Sequence, residues 1–179
     1  MTISIFSFNY KKKIIFLSTP YDEESADLLE DLNVPAYKIA STDTSNIPLL
    51  KYIAKKGSPM ILSSAMATME EVGEAVDVLR STGNDQIVIL QCTTNYPSAT
   101  EDANLHAMLA MQDAFNILVG YSDHTENSYA LLASVALGAV IVEKHFTQDC
   151  GLPGPDHSSS IKPPEFAELV VAQFLSVFA

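Results

Sequence analysis

The stretch Val119-Gly120-Tyr121-Ser122-Asp123-His124-Thr125 decides the fold. It is a short apolar run that turns polar at its end. A second stretch, Val140-Ile141-Val142-Glu143-Lys144-His145-Phe146-Thr147, repeats the pattern. Both runs are too short for a helix and rich in β-formers, so both are expected to be buried strands. As neighbours in a parallel sheet they would bring His124 and His145 out at the same edge, where α/β folds keep their chemistry.

Four more runs of the same kind lie upstream: Ile14–Ser18, Tyr37–Ala40, Pro59–Ser63 and Ile87–Cys92. With Ile117–Tyr121 and Val140–Lys144 they give six expected strands. The segments between them have helical periodicity. Asp22–Leu32 gathers Ala26, Leu28, Leu29 and Leu32 near one face. Met69–Ser81 gathers Val72, Ala75, Val76 and Leu79 on one face and sets Glu70, Glu71, Glu74 and Asp77 mostly on the other. Ser25, Thr68 and Thr125 stand where caps or first turns are expected. Gly57, Gly83 and Gly138 stand where helices should end. A last helix is expected from about Pro163 to Phe178, with proline in its first turn.

Strict alternation of strand and helix predicts a parallel sheet. An open doubly wound sheet and part of a (β/α)8 barrel both fit it. Polar residues at every strand end lean toward the barrel, which draws its site from all its strands: Ser18-Thr19, Lys38 with Ser41, Ser63-Ser64, Thr93-Thr94-Asn95, Ser122-Asp123-His124 and Lys144-His145. An open sheet concentrates its site at one switch point. Six units are fewer than the eight a closed barrel needs.

Composition narrows the partners. A net charge of −12 over 179 residues argues against nucleic acid, whose phosphates attract basic surfaces. A small anion needs only a few local donors and remains open. Cys92 and Cys150 make no disulfide framework, and Cys92, at the end of an apolar strand, reads as a buried thiol in a reducing cytoplasm. The apolar Met1–Tyr10 precedes Lys11-Lys12-Lys13, the reverse of a secretory signal. No run approaches the roughly 20 apolar residues that span a bilayer.

Several residues invite chemistry. Lys38 sits inside the apolar Tyr37–Ala40 run, and alternation sets it opposite Tyr37 and Ile39. A buried ammonium needs a partner. That partner is an anionic ligand, a carbonyl substrate forming a Schiff base, or a core carboxylate such as Glu143. Ser41, Ser63, Thr94 and Ser122 are each read as a cap or turn residue, and together they offer neutral donors to a phosphate. His124 and His145, 21 residues apart, are either hydrogen-bonding strand-end residues or ligands of one divalent ion, with Asp123, Glu143 and Asp156 close in sequence. His106 falls on an amphipathic helix and reads as surface. Leu152-Pro153-Gly154-Pro155-Asp156-His157 is a loop that either presents Asp156 over the sheet mouth or simply connects to the last helix. Tyr96-Pro97 is a strand-end turn that offers Tyr96 to a substrate.

Taken in order, these segments resemble the sialic acid synthase family, including the legionaminate and pseudaminate synthases. The resemblance runs from about Ile14 to Val170. It is carried by Phe16-Leu17-Ser18-Thr19-Pro20-Tyr21-Asp22, Tyr37-Lys38-Ile39-Ala40-Ser41, Cys92-Thr93-Thr94-Asn95-Tyr96-Pro97, Gly120-Tyr121-Ser122-Asp123-His124-Thr125, Glu143-Lys144-His145-Phe146-Thr147 and Pro153-Gly154-Pro155-Asp156-His157. It implies a (β/α)8 barrel and condensation of phosphoenolpyruvate with an N-acetylated mannosamine-type sugar. The products are a nine-carbon 2-keto acid and phosphate. It implies that His124 and His145 bind Mn²⁺ or Mg²⁺. It implies that Lys38, Ser41, Ser63, Thr94 and Ser122 hold the phosphoenolpyruvate, with Thr19 and Asp43 at the same mouth. Asp156 and Tyr96 would face the sugar, and Lys38, Asp156 and Tyr96 form the expected catalytic set.

The resemblance also marks differences. The expected strands match the third to eighth of the family's barrel, so residues 14–179 read as a partial barrel and residues 1–13 as an unmatched segment. The family's first two strand–helix units, with their acid, lysine and glutamine, have no counterpart here, and neither does its C-terminal antifreeze-like domain. Gln91 stands where a histidine is common, Thr42 where a glycine is frequent before Asp43, and Ser64-Ala65 where Thr-Gly is usual. Besides a different phosphoenolpyruvate condensation or aldolase reaction on a similar barrel, which the ordered motifs count against, two readings follow. One is a synthase whose remaining barrel units come from a homodimer partner or a complementing chain. The other is a non-catalytic remnant that still binds metal or phosphoenolpyruvate.

Overall fold

The computed structural model describes residues 7, 9 and 11–176, with side chains to residue 171. Helices and strands alternate as α1 (Glu23–Asp31), β1 (Tyr37–Ile39), α2 (Ile47–Ala54), β2 (Met60–Ser63), α3 (Met69–Ser81), β3 (Ile87–Cys92), α4 (Leu105–Phe115), β4 (Leu118–Asp123), α5 (Tyr129–Ala136), β5 (Val142–Lys144) and α6 (Pro163–Ser176). The chain divides into two compact units, Met1–Leu62 with Ala67–Ile87, and Ser63–Met66 with Val88–Ala179.

In the first unit β1 runs parallel to β2, with Tyr37 opposite Met60 and Ile39 opposite Leu62. All four side chains are buried. The Tyr37 hydroxyl reaches the Ala26 carbonyl of α1, so Tyr37 and Ile39 pack on the helical side as alternation requires. The α1 helix starts where the Asp22 carboxylate accepts the Ser25 N–H at 2.6 Å. The α3 helix starts on a reciprocal cap: Thr68 Oγ1 accepts the Glu71 N–H, and the Glu71 carboxylate accepts the Thr68 N–H at 2.7 Å. Val72, Ala75, Val76 and Leu79 form the buried stripe of α3. Buried Asn84 ties the loops together by donating to the Ser58 carbonyl at 2.9 Å and accepting the Gln86 N–H at 3.0 Å.

In the second unit β3, β4 and β5 are parallel in chain order. Gln91 pairs with Tyr121, Cys92 with Ser122, Ser122 with Glu143 and Asp123 with Lys144. Gly120 is required here by space. A Cβ at this position would lie 2.3 Å from the Ile141 carbonyl oxygen and 2.6 Å from Leu90 Cδ2. The glycine lets the β5 backbone close on β4.

Some expectations change. Ile14–Ser18 is not a strand: Ile14, Ile15 and Leu17 are exposed. A five-residue apolar run becomes a strand only when tertiary structure gives it a ladder, which the run itself cannot specify. Leu28 is on the solvent side of α1, and only Ala26 and Leu29 of that helix are fully buried. Thr125 is not a helix cap, because α5 begins after Ser128. The β5 strand starts at Val142 rather than Val140, which is exposed. Gly57, Gly83 and Gly138 have the positive φ expected of helix ends. The last helix starts at Pro163 as expected, and its expected end at Phe178 lies outside the described residues. Most of the Met1–Tyr10 segment lies outside them too. No helix among the described residues is long and apolar enough to cross a membrane.

Candidate active site

Alternation along β4 and β5 sorts the strand-end residues onto two faces. Ser122 and Glu143 meet on one face, the hydroxyl donating to Glu143 Oε1 at 2.7 Å. Asp123 and Lys144 meet on the other, Lys144 Nζ donating to Asp123 Oδ2 at 2.8 Å. The next residue of each strand is a histidine. The His124 and His145 ring centroids are 5.3 Å apart, tilted by 53°. Tyr96, from the turn after β3, packs against both, 4.2 Å from His124 and 5.4 Å from His145.

His124 is buried, and its Nδ1 lies 2.5 Å from the Thr93 carbonyl oxygen. A carbonyl only accepts, so Nδ1 carries the proton and Nε2 keeps a lone pair. Burial lowers the pKa of this imidazole. The Thr93 carbonyl opposes that shift and neighbouring His145 adds to it. The neutral ring is the ligating form.

His145 is more open, and its Nδ1 stands 3.9 Å from Asp156 Oδ2. The loop presenting Asp156 is held from within. Ser159 and Ser160 donate to the Asp156 carbonyl at 3.0 and 2.7 Å. His157 Nδ1 and the Thr147 hydroxyl share a 2.7 Å hydrogen bond. Gly154 lies so close to His157 that a Cβ would meet its Cδ2 at 3.0 Å.

The two imidazoles stand within reach of one shared divalent ion. A ligated imidazole places an ion roughly 3.2 Å from its ring centroid, and 5.3 Å is less than twice that distance. One histidine has its second nitrogen committed to a backbone carbonyl, the usual outer-shell arrangement of ligating imidazoles. Among the described residues no group of three or more His, Cys, Asp or Glu is arranged to hold a metal ion, so other donors to such an ion would be water or substrate oxygens.

The structure thus gathers Tyr96, His124, His145 and Asp156, with Ser122 nearby on β4. Thr94, on the same turn as Tyr96, is exposed. Ser63 is buried at the end of β2. In the first unit, half-buried Lys38 donates to the Ile39 carbonyl at 3.1 Å. Asp43 accepts from Thr42 and Asn46, both at 3.0 Å, inside the turn that Ser41 begins. Thr19 is half-buried in the segment before α1. Gln91 is buried and donates to the Ala103 carbonyl at 3.3 Å.

Asp123, expected near the ion, is on the opposite strand face and belongs to Lys144. Two supports were not legible as such: the Thr93 carbonyl and the Lys144–Asp123 pair. The second left a trace, since Asp123 and Lys144 repeat the 21-residue separation of the histidines.

Comparison with known proteins gives a consistent answer. The NeuB family model matches residues 1–175. An N,N'-diacetyllegionaminic acid synthase of Campylobacter jejuni is 48% identical over 89% of this chain and 48% of its own length. An uncharacterised protein of Methanocaldococcus jannaschii is 50% identical over 88% of this chain and 47% of its own. The crystal structure of the spore coat polysaccharide biosynthesis protein SpsE of Bacillus subtilis superposes with a TM-score of 0.92 at 42% identity, over 97% of this chain and 49% of that one. The chain spans about half the length of the curated relatives it matches.

Proposed function

The chain belongs to the NeuB family, and on that premise we propose that it carries the metal-binding part of a sugar-acid synthase built on a (β/α)8 barrel, its five strands corresponding to the fourth to eighth. The reaction is condensation of phosphoenolpyruvate with an N-acetylated mannosamine-type sugar. Carbon 3 of phosphoenolpyruvate attacks the sugar aldehyde, forming the new C–C bond, and the aldehyde oxygen takes up a proton. Water adds at carbon 2 and loses a proton. The C–O bond to phosphate then breaks as the carbon 2 hydroxyl gives its proton to the leaving phosphate, leaving a nine-carbon 2-keto acid and inorganic phosphate.

The observation that supports this most is the His124–His145 pair, with the His124 proton committed to Thr93. These two residues would hold Mn²⁺ or Mg²⁺. Such an ion, when bound, supplies Lewis-acid polarisation of the aldehyde oxygen. The remaining work falls to the chain's own groups. Tyr96 covers both imidazoles and limits water on that side. Asp156, beside His145 on an exposed loop, is placed to accept hydrogen bonds from sugar hydroxyls. Lys38, Ser41, Ser63, Thr94 and Ser122, with Thr19 and Asp43, are the residues to which the family resemblance gives the phosphate and carboxylate of phosphoenolpyruvate. The protein works in the cytoplasm, on a barrel that these strands share with further polypeptide.

The test is 2-keto acid and phosphate release from phosphoenolpyruvate and N-acetylmannosamine with Mn²⁺, supplying the remaining strand–helix units from the barrel of a relative. Product that disappears in His145→Ala is expected. Product formation unaffected by His124→Ala and His145→Ala would overturn the assignment.

A further inference from the structure

Directly behind the two histidines lies a buried ion pair that the reaction above does not use. The Lys144 side chain is 3% exposed and that of Asp123 0%. The two are partners in the β4–β5 register, each one residue before a histidine. Lys144 Nζ donates to Asp123 Oδ2, to the Thr125 carbonyl and, at 3.1 Å, to the Asn127 carbonyl. That uses all three of its donors. Asp123 Oδ1 accepts the Thr125 N–H at 3.0 Å and lies 2.9 Å from the Thr125 hydroxyl and 3.4 Å from that of Tyr121. Every member of the network is partnered, the condition under which buried polar groups rigidify their surroundings.

The pair fixes what the rings cannot fix themselves. His124 is anchored through Thr93. The His145 ring has Tyr96 edge-on and stands 3.9 Å from Asp156, contacts that do not fix the strand end that carries it. Lys144 sets that end by reaching across to the carboxylate before His124 and to two carbonyls beyond it. The His145 carbonyl is held on the far side by the Ile161 N–H at 2.8 Å, and Lys144 ties the same end of the three-residue β5 to β4.

We infer that Lys144 and Asp123 are positioning residues that set the separation of the His124 and His145 imidazoles from the reverse face of the strands. This rests on the metal-binding reading for its use, but the geometric claim stands in the metal-free chain.

The test uses the whole chain without metal and then with Mn²⁺. Wild type should show a ring-to-ring nuclear Overhauser effect between His124 and His145. Lys144→Met, folded by circular dichroism, should lose it and bind Mn²⁺ at least tenfold more weakly. Asp123→Asn keeps the shape of the carboxylate and removes its charge. It serves if Lys144→Met does not fold, and should weaken the same Overhauser effect. A folded Lys144→Met that retains it, or that binds Mn²⁺ like wild type, overturns the inference, as does an unchanged Asp123→Asn where Lys144→Met does not fold. Wild type that shows the Overhauser effect but binds no Mn²⁺ refutes the metal reading and leaves the positioning role intact.

Discussion

The His124 Nδ1–H donates a hydrogen bond to the Thr93 carbonyl across 31 residues of sequence. That bond joins the end of β3 to the end of β4 and fixes the tautomer at once. A ring held this way has one nitrogen available, and the direction of its lone pair is set before any ligand arrives.

Gly120 lies where two strands and a leucine meet. In Gly120→Ala the new methyl would meet the Ile141 carbonyl, a backbone atom that cannot swing aside. The variant should lose about 2 kcal/mol or more, in the range of overpacked cores. Urea denaturation of the two proteins measures the difference.

Thr68→Ala removes half of the reciprocal cap on α3. A loss of about 1 kcal/mol is expected. Thr68→Ser should restore most of it, because the hydroxyl rather than the methyl makes the bond. The same denaturation experiment reads both.

The Ser98 hydroxyl is buried and, among the described residues, has no hydrogen-bond partner. Its desolvation is uncompensated, so Ser98→Ala should be neutral or stabilise by up to about 1 kcal/mol. A clear destabilisation would show that the hydroxyl has a partner after all.

Acid should weaken the first unit through Asp27. Its carboxyl is held below the usual range by hydrogen bonds from Lys56 first and Tyr52 second. With the folded value depressed, the contribution is complete above the unfolded value near 3.9 and is lost as pH falls through the folded one. Asp27→Asn should therefore flatten the acid limb of a stability-against-pH curve and leave its slope near neutrality unchanged.

Much of this was legible in the sequence, for local reasons. The Thr68-to-Glu71 spacing announces a helix start, and the period of Val72, Ala75, Val76 and Leu79 names the buried stripe of α3. The strand-end histidines declare themselves because polar residues at the end of an apolar run have few other places to go. Ile14–Ser18 misled because an apolar run does not say whether a neighbouring strand exists to pair with it. Thr93 was silent because its backbone carbonyl, common to every residue type, does the work. Asp123 read as a ligand neighbour because sequence proximity ignores the alternation that turns it to the opposite face.

The central claim is that His124 and His145 share one divalent ion, and Mn²⁺ titration followed by electron paramagnetic resonance tests it most directly. One site per chain is predicted, abolished by His124→Ala and by His145→Ala and unchanged by His106→Ala on the exposed side of α4. Full Mn²⁺ binding in either His124→Ala or His145→Ala would contradict the account.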